Sequence, residues 1–393
     1  MRICLLSGEF PPKQGGVGDF THELGQALSA LHQEISVLTS ATPAGPPACD
    51  GYRIFRTIAD WGWSMWKAVD NFLQTEKSDV LNIQYQAAAY GMKPAVNLLP
   101  SRLRLQRASR PVVVTTFHDL RVPFLFRGAG PARWYMVEVL ARGSDGVIVT
   151  NEEDDLTLAR RLPSIRRRFI PIGSNIAPRL PANYDRLAWR TKWGIAPHQL
   201  ALSYFGFLHE TKGGEDLIEA LRLLVQAGRD AMLLMIGGKT GSSDPTTRAY
   251  LARVERQIRL AGLERRVIWT DYLPQEEVAA AFRATDICIL PYRDGVSTRR
   301  GTLMAALANG MPLVTTQPAI SSPYFRGGEN MLLTAPNCPP ALAEAIQRLA
   351  DDEPLRQRLS AGALALSRRF EWPNIAIETL AFFDELLHAR SAQ

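Results

Sequence analysis

Residues 1–39 read MRICLLSGEFPPKQGGVGDFTHELGQALSALHQEISVLT, in which two short apolar runs, Arg2 to Ser7 and Ile35 to Thr39, flank a glycine-bearing loop and an amphipathic stretch. Short, mostly apolar runs are what strands buried on both faces of a parallel sheet look like. Between them Phe20, Leu24, Ala27, Leu28 and Leu31 recur at helical spacing on one face, with Asp19 as the expected cap. Parallel neighbours need a crossover, and a helix supplies it. The stretch predicts a β–α–β unit of a doubly wound α/β sheet.

The pattern continues outward. Val80 to Tyr85, Val112 to Phe117 and Val147 to Thr150 are further strands of the same kind. From Ile176 to His198 it lapses into a stretch containing proline and arginine, then restarts at Leu200 to Phe205. Strands are expected at Ala231 to Ile236, Val267 to Thr270, Ile287 to Leu290 and Leu313 to Thr315, and helices from Gly214, Thr246, Gln275 and Thr302. A chain of 393 residues exceeds what one core organises. Two Rossmann-like domains follow, residues 1–180 and 195–372, with the last helix, Ile375 to His388 within residues 375–390, packing back on the first.

With 46% hydrophobic and 21% charged residues the chain has no compositional mark of disorder or of a repeat array. Cys4, Cys49, Cys288 and Cys338 form no CxxC pair and read as reduced thiols. The apolar run Ile3 to Leu6 is too short for a signal peptide, and no stretch approaches the roughly 18 apolar residues of a membrane span. A soluble, cytoplasmic protein is expected. The net charge of +6 suggests anionic partners. Arginines 102, 104, 107 and 110, and 160, 161, 166, 167 and 168, cluster without a nucleic-acid module, so they read as solvated faces and no nucleic-acid partner is expected. Trp61 to Trp66 and Val122 to Arg127 combine aromatics with nearby cations, which would suit a lipid-linked acceptor or peripheral contact with an anionic inner membrane face; the tryptophans read first as core.

Ligands of open parallel sheets collect where strands end and helices begin. Three such turns stand out. Ser7 to Asp19 carries the glycines but lacks the GxGxxG spacing of a nicotinamide site, which is rejected. Tyr204 to Gly214 places Lys212 just before a helix, and Pro291 to Gly301 places Ser297, Thr298, Arg299 and Arg300 at the start of another. Two arginines at a helix start oppose its dipole, a conflict that an anion resolves.

The motifs "FPPKQGGVGDF", "TTFHDL", "FIPIGSNI", "FGFLHETKGGEDLIEAL", "LMIGG", "DICILPYRDGVSTRRGTLMAALANGMPLVTT" and "GGENMLL" follow one another along nearly the whole chain. In this order they resemble glycosyltransferase family 4, retaining enzymes of the GT-B fold, whose two Rossmann-like domains face each other across a cleft. The resemblance implies donor contacts at Gly15, Gly16, Gly206, Gly237, Asp271, Tyr272, Gly295, Val296, Ser297, Thr298, Gly301 and Thr302, a reaction-centre histidine at His118, and a diphosphate lysine at Lys212. It also implies departures. Phe207 stands where the family carries the arginine partner of that lysine, and Ser297 and Ala305 stand where it carries the Glu-x7-Glu pair.

Arg299 or Arg300 is therefore expected to supply the missing diphosphate contact. The implied function is metal-independent, retaining transfer of a sugar, a hexose by expectation, from a nucleotide-sugar donor to a glycan, lipid-linked or small-molecule acceptor. No Asp-x-Asp motif is present and no further cofactor is expected. The alternatives are a GT-B scaffold that has lost catalysis and a sugar-nucleotide epimerase or hydrolase.

Overall fold

The computed structural model describes residues 1–13, 15–46, 48–49, 51–106, 110–120, 130–239 and 245–391. The chain forms two compact units, one of residues 1–173 with 371–393 and one of residues 174–370.

The first unit holds β1 (Arg2–Ser7), β2 (Glu34–Ser40), β3 (Ala48–Cys49), β4 (Tyr52–Ile58), β5 (Val80–Tyr85), β6 (Val112–Phe117), β7 (Gly146–Val149) and β8 (Arg167–Phe169). They pair in the order β3-β4-β2-β1-β5-β6-β7-β8, parallel throughout except for β3 against β4. Phe20, Leu24 and Leu28 of the helix Gly16–Ala30 share one core with Phe382, Phe383 and Leu386 of the helix Trp372–Ser391. Met65, Val69, Leu99, Leu103 and Leu140 build a second core. With both faces covered, β1, β5 and β6 bury almost every side chain, which is why they appear in the sequence as continuous runs.

The second unit holds β9 (Leu200–Phe205), β10 (Ala231–Ile236), β11 (Val267–Trp269), β12 (Ile287–Leu290), β13 (Leu313–Thr316) and β14 (Leu332–Thr334), in the order β11-β10-β9-β12-β13-β14 and all parallel. The chain enters at β9, grows one way through β10 and β11, then returns to grow the other way from β12. The loops leaving β9 and β12 thus flank the point where the winding reverses, where α/β sheets hold their ligands.

Several local expectations change. The cap of the helix Gly16–Ala30 is Gly15, not Asp19, which lies inside the first turn. The segment read as an interdomain lapse belongs to the second unit: it carries the helix Arg186–Lys192, and the buried Arg190 binds Asp286 and the carbonyls of Ala196 and Gln199. The arginines read as solvated are largely tied down. Arg102 pairs with Asp70, Arg110 with Asp145, Arg167 with Asp155 and Arg168 with Glu385. Of the tryptophans read as core, Trp61 is buried, Trp66 lies under the Arg102 guanidinium and Trp63 is exposed. Arg107 and the segment Val122 to Arg127 lie outside the described residues. Among the described residues no helix is long and apolar enough to cross a membrane.

Gly213 shows how tightly the reversal point is built. It adopts φ +69° between Lys212 and the helix Gly214–Gln226, and a Cβ there would sit 2.0 Å from the Pro291 carbonyl oxygen. Both the left-handed backbone and the contact exclude a side chain. Gly213→Ala is expected to cost about 2–3 kcal/mol, read from denaturant unfolding curves with an unchanged m-value.

Candidate active site

The second unit gathers its chemistry at the ends of β9 and β12. Gly206 follows β9 at φ +104°, and a Cβ on it would lie 2.6 Å from Thr302 Cγ2 and 3.4 Å from Lys212 Nζ. Only glycine lets the lysine and the next helix start approach so closely. Lys212 closes a single 3-10 turn, Glu210–Lys212, whose first residue is capped by the His209 ring accepting from Thr211 N–H at 3.2 Å. Its half-buried ammonium makes no ion pair or side-chain hydrogen bond among the described residues. Burial, reinforced by the charge of Arg300, brings its pKa down to about 8. Phe207 contributes no charge here and is partly exposed.

The loop after β12 is zipped to this turn, with Arg293 N–H donating to Thr211 O at 2.9 Å while the Arg293 guanidinium pairs with Asp216 and Glu215. Asp294 then takes both arginines of the sequence motif. Arg299 Nη2 donates to Asp294 Oδ2 at 2.9 Å and Arg300 Nη2 to Asp294 Oδ1. The three side chains are 7%, 13% and 16% exposed, so this is a desolvated cluster rather than a surface pair. The Arg300 guanidinium stands 4.8 Å from the Tyr292 ring centroid, and its Nε is buried without a hydrogen-bond partner. Tyr292 OH and Thr302 Oγ1 are 2.6 Å apart.

The helix Gly301–Ala308 starts at Arg300 without a side-chain cap, and Leu303 N–H turns back to the Arg300 carbonyl at 2.9 Å. The anion expected from the sequence is thus partly supplied from within. One carboxylate faces two arginines, however, and Lys212 adds a third cation nearby.

The remaining expected donor positions line the same edge of the sheet. Gly237 ends β10 and bridges to Asp271, and a Cβ on Gly237 would reach Gly206 Cα at 3.8 Å. Tyr272 is well exposed. Gly295, at φ +83°, and Val296 are buried under the loop, as is Thr298, whereas Ser297 is half-buried. Ala305 is wholly buried with Leu303, Met304, Ala306 and Leu307. Ser297 and Ala305 themselves carry no carboxylate.

The first unit places its expected residues at the carboxyl ends of β1 and β6. Gly15 caps the helix Gly16–Ala30, and a Cβ on it would fall 2.2 Å from Glu9 Oε1, which accepts from Val17 N–H at 3.1 Å. Burial raises the Glu9 pKa, and the Val17 bond opposes that shift. The space beside Gly16 is open. His118 follows β6 with its Nε2 2.9 Å from Gln84 Oε1 and its ring edge-on to Phe20, centroids 4.6 Å apart. Burial drives its pKa down to about 3, so the ring is neutral at pH 7.

Two family models match this chain in tandem. One, described as a glycosyl transferase 4-like domain, covers residues 15–173. The other, glycosyl transferases group 1, covers residues 199–352. The chain belongs to glycosyltransferase family 4. A D-inositol 3-phosphate glycosyltransferase of Corynebacterium efficiens is 28% identical over 262 residues, 65% of this chain and 59% of that protein, so the match spans about three fifths of that relative. Two solved structures share the fold over almost the whole length. Sucrose-phosphate synthase from Thermosynechococcus elongatus has a TM-score of 0.79 at 20% identity, covering 99% of this chain and all of that one. Anabaena HepE in complex with UDP-glucose has a TM-score of 0.72 at 18% identity, with both chains fully covered.

As a family 4 chain, the protein carries Ser297 and Ala305 where the resemblance places an acidic pair. Asp294, Glu9 and Gln84 are the residues that sequence reasoning did not single out for the site. Asp294 carried a faint signal, as the lone acidic residue between Asp286 and Glu329 next to two arginines. Removing it with Asp294→Ala would leave two desolvated guanidinium groups without their shared carboxylate. The expected loss is on the order of 3 kcal/mol in equilibrium unfolding, with Arg299→Ala in the same background recovering part of it.

Proposed function

We propose that this chain transfers a sugar from a nucleotide-sugar donor to an acceptor hydroxyl, with the donor diphosphate seated on Lys212, Arg300 and the uncapped start of the helix Gly301–Ala308. The observation that carries this reading is Lys212. A half-buried ammonium with no carboxylate partner, set against a second cation, is electrostatically unfavourable until an anion arrives. Gly206 and Gly213 hold it there by geometry that no other residue supports. Arg300, rather than Arg299, is the arginine whose charge acts on Lys212 and whose flank carries Tyr292 and Thr302. It takes the role left vacant at Phe207.

Lys212 and Arg300 supply positive charge against the two negative charges of a sugar-linked diphosphate. Those cations and the helix N–H groups stabilise the departing diphosphate, where negative charge develops in the transition state. The retaining chemistry of the family suits a site without a carboxylate pair. The acceptor hydroxyl attacks the anomeric carbon on the leaving-group face as the carbon–phosphate-oxygen bond breaks, and its proton passes to that phosphate oxygen. No protein nucleophile and no metal enter this scheme. UDP-glucose and D-inositol 3-phosphate, named with the HepE structure and the Corynebacterium relative, are the first donor and acceptor to try. The absence of acid at positions 297 and 305 favours one rival, donor binding without transfer.

A thermal-shift panel of nucleoside diphosphates and their sugars tests the donor site, and stabilisation by at least one of them is expected. Lys212→Met sharpens the test. The folded-state pKa of Lys212 lies below its usual 10.5, so the unfolded chain holds this proton more tightly and the buried charge opposes folding below about pH 8. At pH 7 the variant is expected to melt higher than the wild type without ligand and to lose the nucleotide-induced shift. In the wild type, nucleotide affinity should decline as pH rises through about 8. A variant that keeps full nucleotide stabilisation would sink the diphosphate assignment, and binding without release of sugar to any acceptor would favour the rival.

A further inference from the structure

β5 and β6 carry a line of polar side chains through the interior of the first unit. Asn82, Gln84 and Thr116 are each 0–1% exposed, in strands whose other positions are mostly apolar. Buried amides are costly unless every group is paired. Here the pairing has a direction. Asn82 Nδ2 donates to the Val114 carbonyl at 3.2 Å and to Thr116 Oγ1 at 2.9 Å. A carbonyl oxygen can only accept, so the Asn82 amide has one orientation, with Oδ1 turned toward Gln84. Gln84 Nε2 donates to that Oδ1. Gln84 Oε1 is therefore the atom that meets His118 Nε2 at 2.9 Å. Two acceptors cannot share that contact, so Nε2 carries the proton. His118 Nδ1 makes no hydrogen bond among the described residues.

We propose that Gln84 is a positioning residue: anchored through Asn82 to the Val114 carbonyl, it holds His118 as the Nε2–H tautomer and leaves the bare Nδ1 lone pair to accept from a substrate hydroxyl. An imidazole presented in this form attracts an O–H and repels a phosphate oxygen. His118 is thereby suited to a hydroxyl rather than to an anion. Phe20, edge-on to the ring, restrains its rotation. The assignment of the Nδ1 partner as a hydroxyl rests on the glycosyl-transfer reading, whereas the tautomer and its cause do not.

The test uses the unliganded full chain labelled with 15N at its six histidines, with His118→Gln to identify the His118 signals. In the wild type the Nε2 shift should be that of a protonated nitrogen and Nδ1 that of a bare one, with no change down to pH 5. Gln84→Met should speed exchange of the Nε2–H proton with water by about tenfold, the worth of one ordinary hydrogen bond. Gln84→Glu should raise the pKa of the ring and move its nitrogen shifts, because an acid then faces the same nitrogen. A wild-type proton on Nδ1, or ring shifts that neither substitution moves, would overturn the proposal. If Gln84→Met does not fold, the wild-type spectrum and Gln84→Glu decide. Because no turnover is measured, failure of the donor assignment would leave this result untouched.

Discussion

A parallel strand can be left only at its carboxyl end, and in the second unit that constraint decides the rest. The sheet grows from β9 in both directions, so the loops after β9 and β12 have to emerge side by side. Gly206 and Gly213 let them touch, and the Arg293 contacts to Thr211, Glu215 and Asp216 lock them together. The position of Lys212 beside Arg300 follows from this packing, and the electrostatics of the site follow from that position. Cations that would repel one another in a flexible loop are kept close by tight backbone contacts at the two glycines and by the ion pairs of Arg293.

The two units solve a similar problem with different residues. Each presents a helix start next to glycine at the carboxyl end of a strand, and in each a carboxylate of the chain itself comes close. Glu9 binds Val17 N–H at the start of one helix. Asp294 binds the two arginines that precede the other. In the first unit the acid faces the helix dipole directly, whereas in the second it is outnumbered by cations. The two helix starts thus differ in their local charge.

Much of this was legible in the sequence because fully buried strands announce themselves. β1, β2, β5, β6, β9, β10 and β12 read directly as short apolar runs. β4 did not, because Tyr52 and Ile54 alternate with the exposed Arg53, and β8, three residues of Arg-Arg-Phe at the edge of its sheet, has no apolar run to see. Lys212 and the arginine pair could be placed at strand ends from order alone. What could not be read was the pairing. The contact of Asp294 with residues five and six positions further on depends on the path of a loop, and that of Gln84 with His118 on the register between β5 and β6, which brings Gln84 opposite Thr116. Composition was also a poor guide to the arginine clusters, whose partners lie far away in sequence, as Asp70 does from Arg102.

The burial of Ala305 limits what this position can accept. Its neighbours Leu303, Met304, Ala306 and Leu307 close around it, and no solvent reaches it. A glutamate at that position would drive a carboxylate into packed hydrocarbon. Any acid brought to this site is therefore accommodated more readily around the half-buried Ser297 than at position 305.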